Sequence, residues 1–111
     1  MAGGAQLTVT DLRRAARHPV DYRVIGEHRL LGDVMLHVVN ISANGFMVQG
    51  ELGMGRGERI TIRLPAVGRI EAFMIWNNGD RAGFQFERIL RLDDFMNLIR
   101  SEEHTSELQS L

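Results

Sequence analysis

Arg69-Ile-Glu-Ala-Phe-Met-Ile-Trp-Asn-Asn-Gly-Asp-Arg-Ala-Gly-Phe-Gln-Phe-Glu87 decides the fold. Its first half alternates, with Ile70, Ala72, Met74 and Trp76 on one face and Glu71, Phe73 and Ile75 on the other. Its second half alternates again, with Ala82, Phe84 and Phe86 on one face. Asn77-Asn78-Gly79-Asp80 separates them, and Asn-Gly suits the positive-φ positions of a tight hairpin turn. Two half-buried strands folded back on each other are the minimal antiparallel unit.

The same period continues upstream. Ile60, Ile62 and Leu64 alternate with Arg59, Thr61 and Arg63, and Pro65 and Gly68 bracket the next turn. Residues 50–57 hold four glycines and no periodicity, which reads as a loop. Phe46 to Gln49 reads as a short strand. Further back, one strand is expected from Arg29 to Val39, interrupted at Gly32, and a first strand from Val20 to Ile25, with a turn around Gly26 and Glu27. Downstream the period changes: Leu92, Phe95, Met96 and Ile99 fall at helical spacing, with Asp93 and Asp94 suited to a first turn. The expected fold is all-β, a small six-stranded antiparallel barrel with a C-terminal α-helix. Trp76 is expected in its core, and His37 as a packing or hydrogen-bonded residue.

Composition narrows the function. At 111 residues the chain suits one domain. It has no cysteine, so disulfides and thiolate metal sites are excluded, and its histidines at 18, 28, 37 and 104 show no paired metal spacing. No apolar run approaches the ~18 residues of a membrane span, and the start lacks a secretory pattern, so a cytoplasmic protein without membrane insertion is expected. All 13 basic residues are arginine, yet the net charge is −1, too even for a DNA or RNA binder. No nucleophile–base arrangement or phosphate-cradling loop stands out, so neither an enzyme nor a resident cofactor is expected.

Two motifs carry chemistry. Asn40-Ile41-Ser42-Ala43-Asn44-Gly45 joins two apolar runs and by itself reads as a turn. Arg13-Arg14-Ala15-Ala16-Arg17 ends 23 positions before Asn40, the length of a strand, a turn and most of a second strand. Asp11 can cap a short helical turn here; equally, the segment can be an arm that orders on ligand binding. Arginine supplies a planar fork of donors for phosphate or a guanine edge.

R-x-x-x-R before a first strand and [D/N]-x-S-x-x-G after a second resemble the PilZ domain, a β-barrel family that binds cyclic-di-GMP. The resemblance runs from about Arg13 to Ile99. It implies a ligand site in which Arg13, Arg14 and Arg17 grip phosphates and guanine O6/N7, Asn40 and Ser42 hydrogen-bond guanine edges from the barrel surface, and Gly45 shapes the turn and leaves room for the ligand. Asn40 fills the Asp/Asn slot without charge, so it forms no salt bridge with the arginines. The implied function is a cyclic-di-GMP receptor acting on a protein partner; the alternative is a PilZ-like interaction adaptor that binds no nucleotide.

Residues 1–10 are expected to be a disordered lead-in and 11–99 the domain. Residues 100–110 resemble a translated sequencing adaptor, so 100–111 is expected to be a non-native tail. Arg100 and three glutamates fall in that stretch, which leaves twelve arginines against eleven acids in the rest.

Overall fold

Strand alternation becomes the inside and outside of a barrel. The computed structural model describes residues 16–109, with side-chain surroundings for 16–101. The expected lead-in, Arg13 and Arg14 lie outside the described residues. Six strands form: β1 (His18–His28), β2 (Gly32–Ile41), β3 (Gly45–Gln49), β4 (Arg59–Leu64), β5 (Gly68–Asn77) and β6 (Arg81–Phe86), followed by α1 (Leu92–Gln109). They close in the order β1-β2-β3-β6-β5-β4, every neighbouring pair antiparallel. The expected six-stranded barrel with a C-terminal helix is the fold observed.

The alternating residues fill the interior. Leu36, Val38, Phe46, Val48, Ile60, Ile62, Ile70, Met74 and Phe84 are fully or almost fully buried. Phe46 and Phe84 stack with ring centroids 4.9 Å apart. Met54 is also buried, so the glycine-rich 50–57 segment is an anchored loop. Its end is tied to β5 by Gly57 N–H donating to Met74 O and Met74 N–H donating to Glu58 O. On α1, Phe95 and Leu98 are buried; Phe95 meets the ring of His18 edge-on, and Leu98 and Ile99 face Val20, Tyr22 and Ile41. Leu98 was absent from the expected apolar stripe.

Two expectations fail. The first turn lies at Arg29–Leu31, beyond Gly26, and β2 starts at Gly32, whose φ of 75° suits a glycine. Gly26 instead sits inside β1 where Ile60 crosses it, and any Cβ there would collide with that side chain. It is a close-approach glycine. Trp76 also leaves the core face. A bulge between Met74 and Trp76 makes Ile75 the extra residue, so Trp76 pairs with Gly83 on the outer face. Its indole covers the space a Gly83 side chain would need.

β1 and β4 pair over only two positions, Glu27↔Thr61 and His28↔Ile60. A buried histidine reinforces that seam. Nδ1 of His28 accepts the N–H groups of Leu30 and Leu31 at 3.1 and 3.0 Å, which puts its proton on Nε2, donated to Glu58 Oε1 at 2.6 Å. The other Glu58 oxygen accepts the Gly55 N–H at 2.9 Å. These two bonds, the histidine's first, hold the Glu58 carboxyl below its usual range. His37 is half-buried and hydrogen-bonds Asp21 at 2.6 Å, in line with the expected packing or hydrogen-bonded residue.

Candidate ligand site at the β2–β3 corner

Barrel pairing brings the two sequence motifs together. His18 pairs with Ile41 and Pro19 with Asn40, so the chain enters β1 alongside the end of β2. Arg17 stands just before that entry. Its Nη1 donates to Asn40 Oδ1 at 2.9 Å. The Nδ2 of Asn40 points toward the Met47 sulfur at 3.8 Å.

The corner between β2 and β3 is held from several sides. Ser42 N–H donates to Gly45 O at 2.8 Å, and Asn44 N–H donates to Ser42 Oγ at 3.2 Å. The carbonyls of Ala43 and Asn44 accept the N–H groups of Leu90 and Phe86, both at 2.9 Å or less. Ala43 is fully buried and Ser42 is 3 % exposed. Ser42 therefore braces the turn from within, whereas the sequence reading had placed it on the barrel surface. Gly45 lies in β3 opposite Gln85, and a Cβ on it would run into the Phe84 carbonyl. Close backbone packing, and not a positive φ, is what demands glycine there.

An open cleft of about 330 Å³ lies against this corner. Arg17, Ser42, Asn44, Gln85, Ile75 and Ile89 line it. Asn44 is an unspecified position of the Asn-x-Ser-x-x-Gly motif, and Gln85, Ile75 and Ile89 belong to no motif; barrel closure gathers these three from β6, β5 and the β6–α1 connection. Beside the cleft, the register places Asn40, Met47, Gly83 and Trp76 in one outward row across four strands.

Electrostatics differ between this cleft and two other surface depressions, which mix acidic and basic side chains. Around β1 and β4, Arg69 pairs with Glu27 at 3.3 Å and Arg59 with Glu71 at 3.0 Å, while Arg63 and Arg29 in the same depressions have Glu27, Asp33 or Glu71 among their fellow lining residues. Arg17 rests on a neutral amide and, among the described residues, has no carboxylate partner. Its charge remains available to an anion. No group of His, Asp or Glu among the described residues is placed to hold a metal ion.

Comparisons with known proteins agree with this architecture. Among solved structures, the Bacillus subtilis inhibitor of motility (MotI/DgrA) is similar in fold, at 21 % identity and a TM-score of 0.50. The match covers 82 % of this chain and 50 % of that one, so this chain corresponds to about half of its length. No curated protein is significantly similar. The model of the PilZ domain matches residues 11–101, a span that takes in the arginine motif, the β2–β3 corner and the whole barrel, and the chain belongs to the PilZ domain family.

Proposed function

We propose that this domain is a receptor for cyclic-di-GMP, and that ligand binding at the β2–β3 corner is read by a protein partner. One observation carries the proposal: Arg17, uncompensated by any described carboxylate, stands against a rigid corner at the rim of an open cleft. A cyclic dinucleotide brings two phosphates and two guanines. Arg17 can serve either, through bidentate hydrogen bonds to phosphate oxygens or to guanine O6/N7. Arg13 and Arg14, four and three positions before it, would add to the same grip. Each charge-assisted hydrogen bond contributes roughly 1.5–3 kcal/mol, offset by about 1–2 kcal/mol for each residue ordered. The role is binding, not catalysis, and a cytoplasmic location belongs to the same proposal.

Calorimetric titration tests it. The wild-type domain should bind cyclic-di-GMP, and Arg17→Ala should weaken binding at least about tenfold, or ~1.4 kcal/mol. Equal affinities would remove Arg17 from the site; no binding by the wild type would remove the receptor.

A second reading, an interaction adaptor without a nucleotide, draws on one feature. Leu30, at 85 % exposed, Leu31 and the cross-strand pair Ile25 and Met35 leave apolar surface on the β1–β2 hairpin. The two readings differ in thermal melting: a receptor's midpoint rises with added dinucleotide, an adaptor's does not.

A further inference from the structure

Ile75 and Ile89 are 37 % and 60 % exposed, and both line the cleft that holds Arg17. Large apolar side chains left in water around a recess are more informative than scattered ones. The position of Ile75 follows from the β5 bulge, which inserts it as the unpaired residue between Met74 and Trp76. Bulges commonly re-aim a side chain next to a functional site. Ile89 comes from the β6–α1 connection, whose next residue, Leu90, is fully buried and bonded to Ala43. Both isoleucines are thus carried by fixed backbone.

Gln85 completes the recess. It faces outward on β6 between Phe73 and Gly45 in register. Gly45 has no side chain, so the Gln85 amide is open on that flank. The amide offers one acceptor and two donors. Two apolar walls and an amide edge suit a planar heterocycle: the faces lose water against the isoleucines, and the rim exchanges hydrogen bonds with the amide. At about 330 Å³ the cleft is at the small end of ligand sites, which run from roughly 300 to 1,000 Å³. It fits part of a cyclic dinucleotide, not all of it.

We propose that Ile75, Ile89 and Gln85 form a base slot for one guanine of the cyclic dinucleotide, additional to the contacts of the arginine and Asn-x-Ser-x-x-Gly motifs. The slot rests on the receptor reading above. Guanine offers N–H donors and the O6 acceptor along one edge, and the Gln85 amide can satisfy both kinds.

The test is calorimetric titration of the whole chain with cyclic-di-GMP, using wild type, Ile89→Ser, Gln85→Ala and a remote control, Ile25→Ser, with unliganded melting midpoints measured in parallel. Ile89→Ser should weaken binding about tenfold and Gln85→Ala about fivefold, at midpoints close to wild type because both side chains are exposed. Ile25→Ser should leave affinity unchanged. If wild type binds and Arg17→Ala weakens it while Ile89→Ser and Gln85→Ala match wild type, the slot is overturned and the receptor stands. If wild type does not bind, both fall.

Discussion

Arg17 donates to the side-chain oxygen of Asn40 at 2.9 Å, so the cation at the mouth of the barrel leans on an uncharged amide. An aspartate at position 40 would neutralise much of that charge. Two consequences follow for a dianionic ligand. Affinity should fall as sodium chloride rises, because screening acts on exposed charges. The slope should be shallower in Arg17→Ala and in Asn40→Asp than in wild type. Titrations at several salt concentrations check this, and three parallel slopes would refute it.

Gly45 and Gly83 both lack room for a methyl group, against different obstacles. At Gly45 the obstacle is the Phe84 carbonyl, which belongs to a strand and cannot swing aside. Gly45→Ala should therefore cost about 1–3 kcal/mol, lowering the melting midpoint by about 4–8 °C per kcal/mol. At Gly83 the obstacle is the indole of Trp76, which can rotate. Gly83→Ala should cost less. Because Trp76 is the chain's single tryptophan, its emission should shift to longer wavelength as it moves toward water. Equal stability losses with unchanged emission would contradict both assignments.

Glu58 makes the barrel pH-dependent in a definite direction. Its carboxyl is held below its ordinary value of about 4.5, first by the His28 hydrogen bond. Its contribution is then complete above that value and lost as pH falls through the folded-state value. Urea unfolding at neutral pH should find Glu58→Gln less stable than wild type, and the gap should close on acidification below about pH 4. A gap that widens there would reverse the assignment.

The buried anchors of α1, Phe95 and Leu98, precede residue 100. Phe95→Ala should cost about 3–5 kcal/mol. Ending the chain after Ser101 should leave the melting midpoint nearly unchanged, as scanning calorimetry would show. A large drop would mean that the terminal stretch contributes to the fold.

β4, β6 and β5 as far as Met74 were legible because their apolar residues alternate without interruption and their turns carry glycine, proline or asparagine; β3 stood out as a short apolar run between glycines. The first hairpin was misread because its real turn, Arg29-Leu30-Leu31, has no turn-forming residue, whereas Gly26 does and is used for packing. Trp76 was assigned to the wrong face because a bulge shifts phase by one residue and leaves no mark in the composition. For the site, the two motifs were legible as parts of one ligand site, and the pairing of β1 with β2 sets Arg17 against Asn40. Gln85, Ile75 and Ile89 were invisible because only the closing of the barrel makes them neighbours. Arg13 and Arg14 fall outside the described residues, and their place in the site remains part of the proposal.

The cylinder is fastened lengthwise by two rungs and one imidazole. Most of its circumference is zipped over five or more rungs, so thermal breathing concentrates at the join between the first and fourth strands. Deuterium should reach the amides of Glu27 and Thr61 long before those of Val48 or Phe84. The first strand, which begins one residue after the arginine and ends at the imidazole, is also the hem along which the sleeve would come undone.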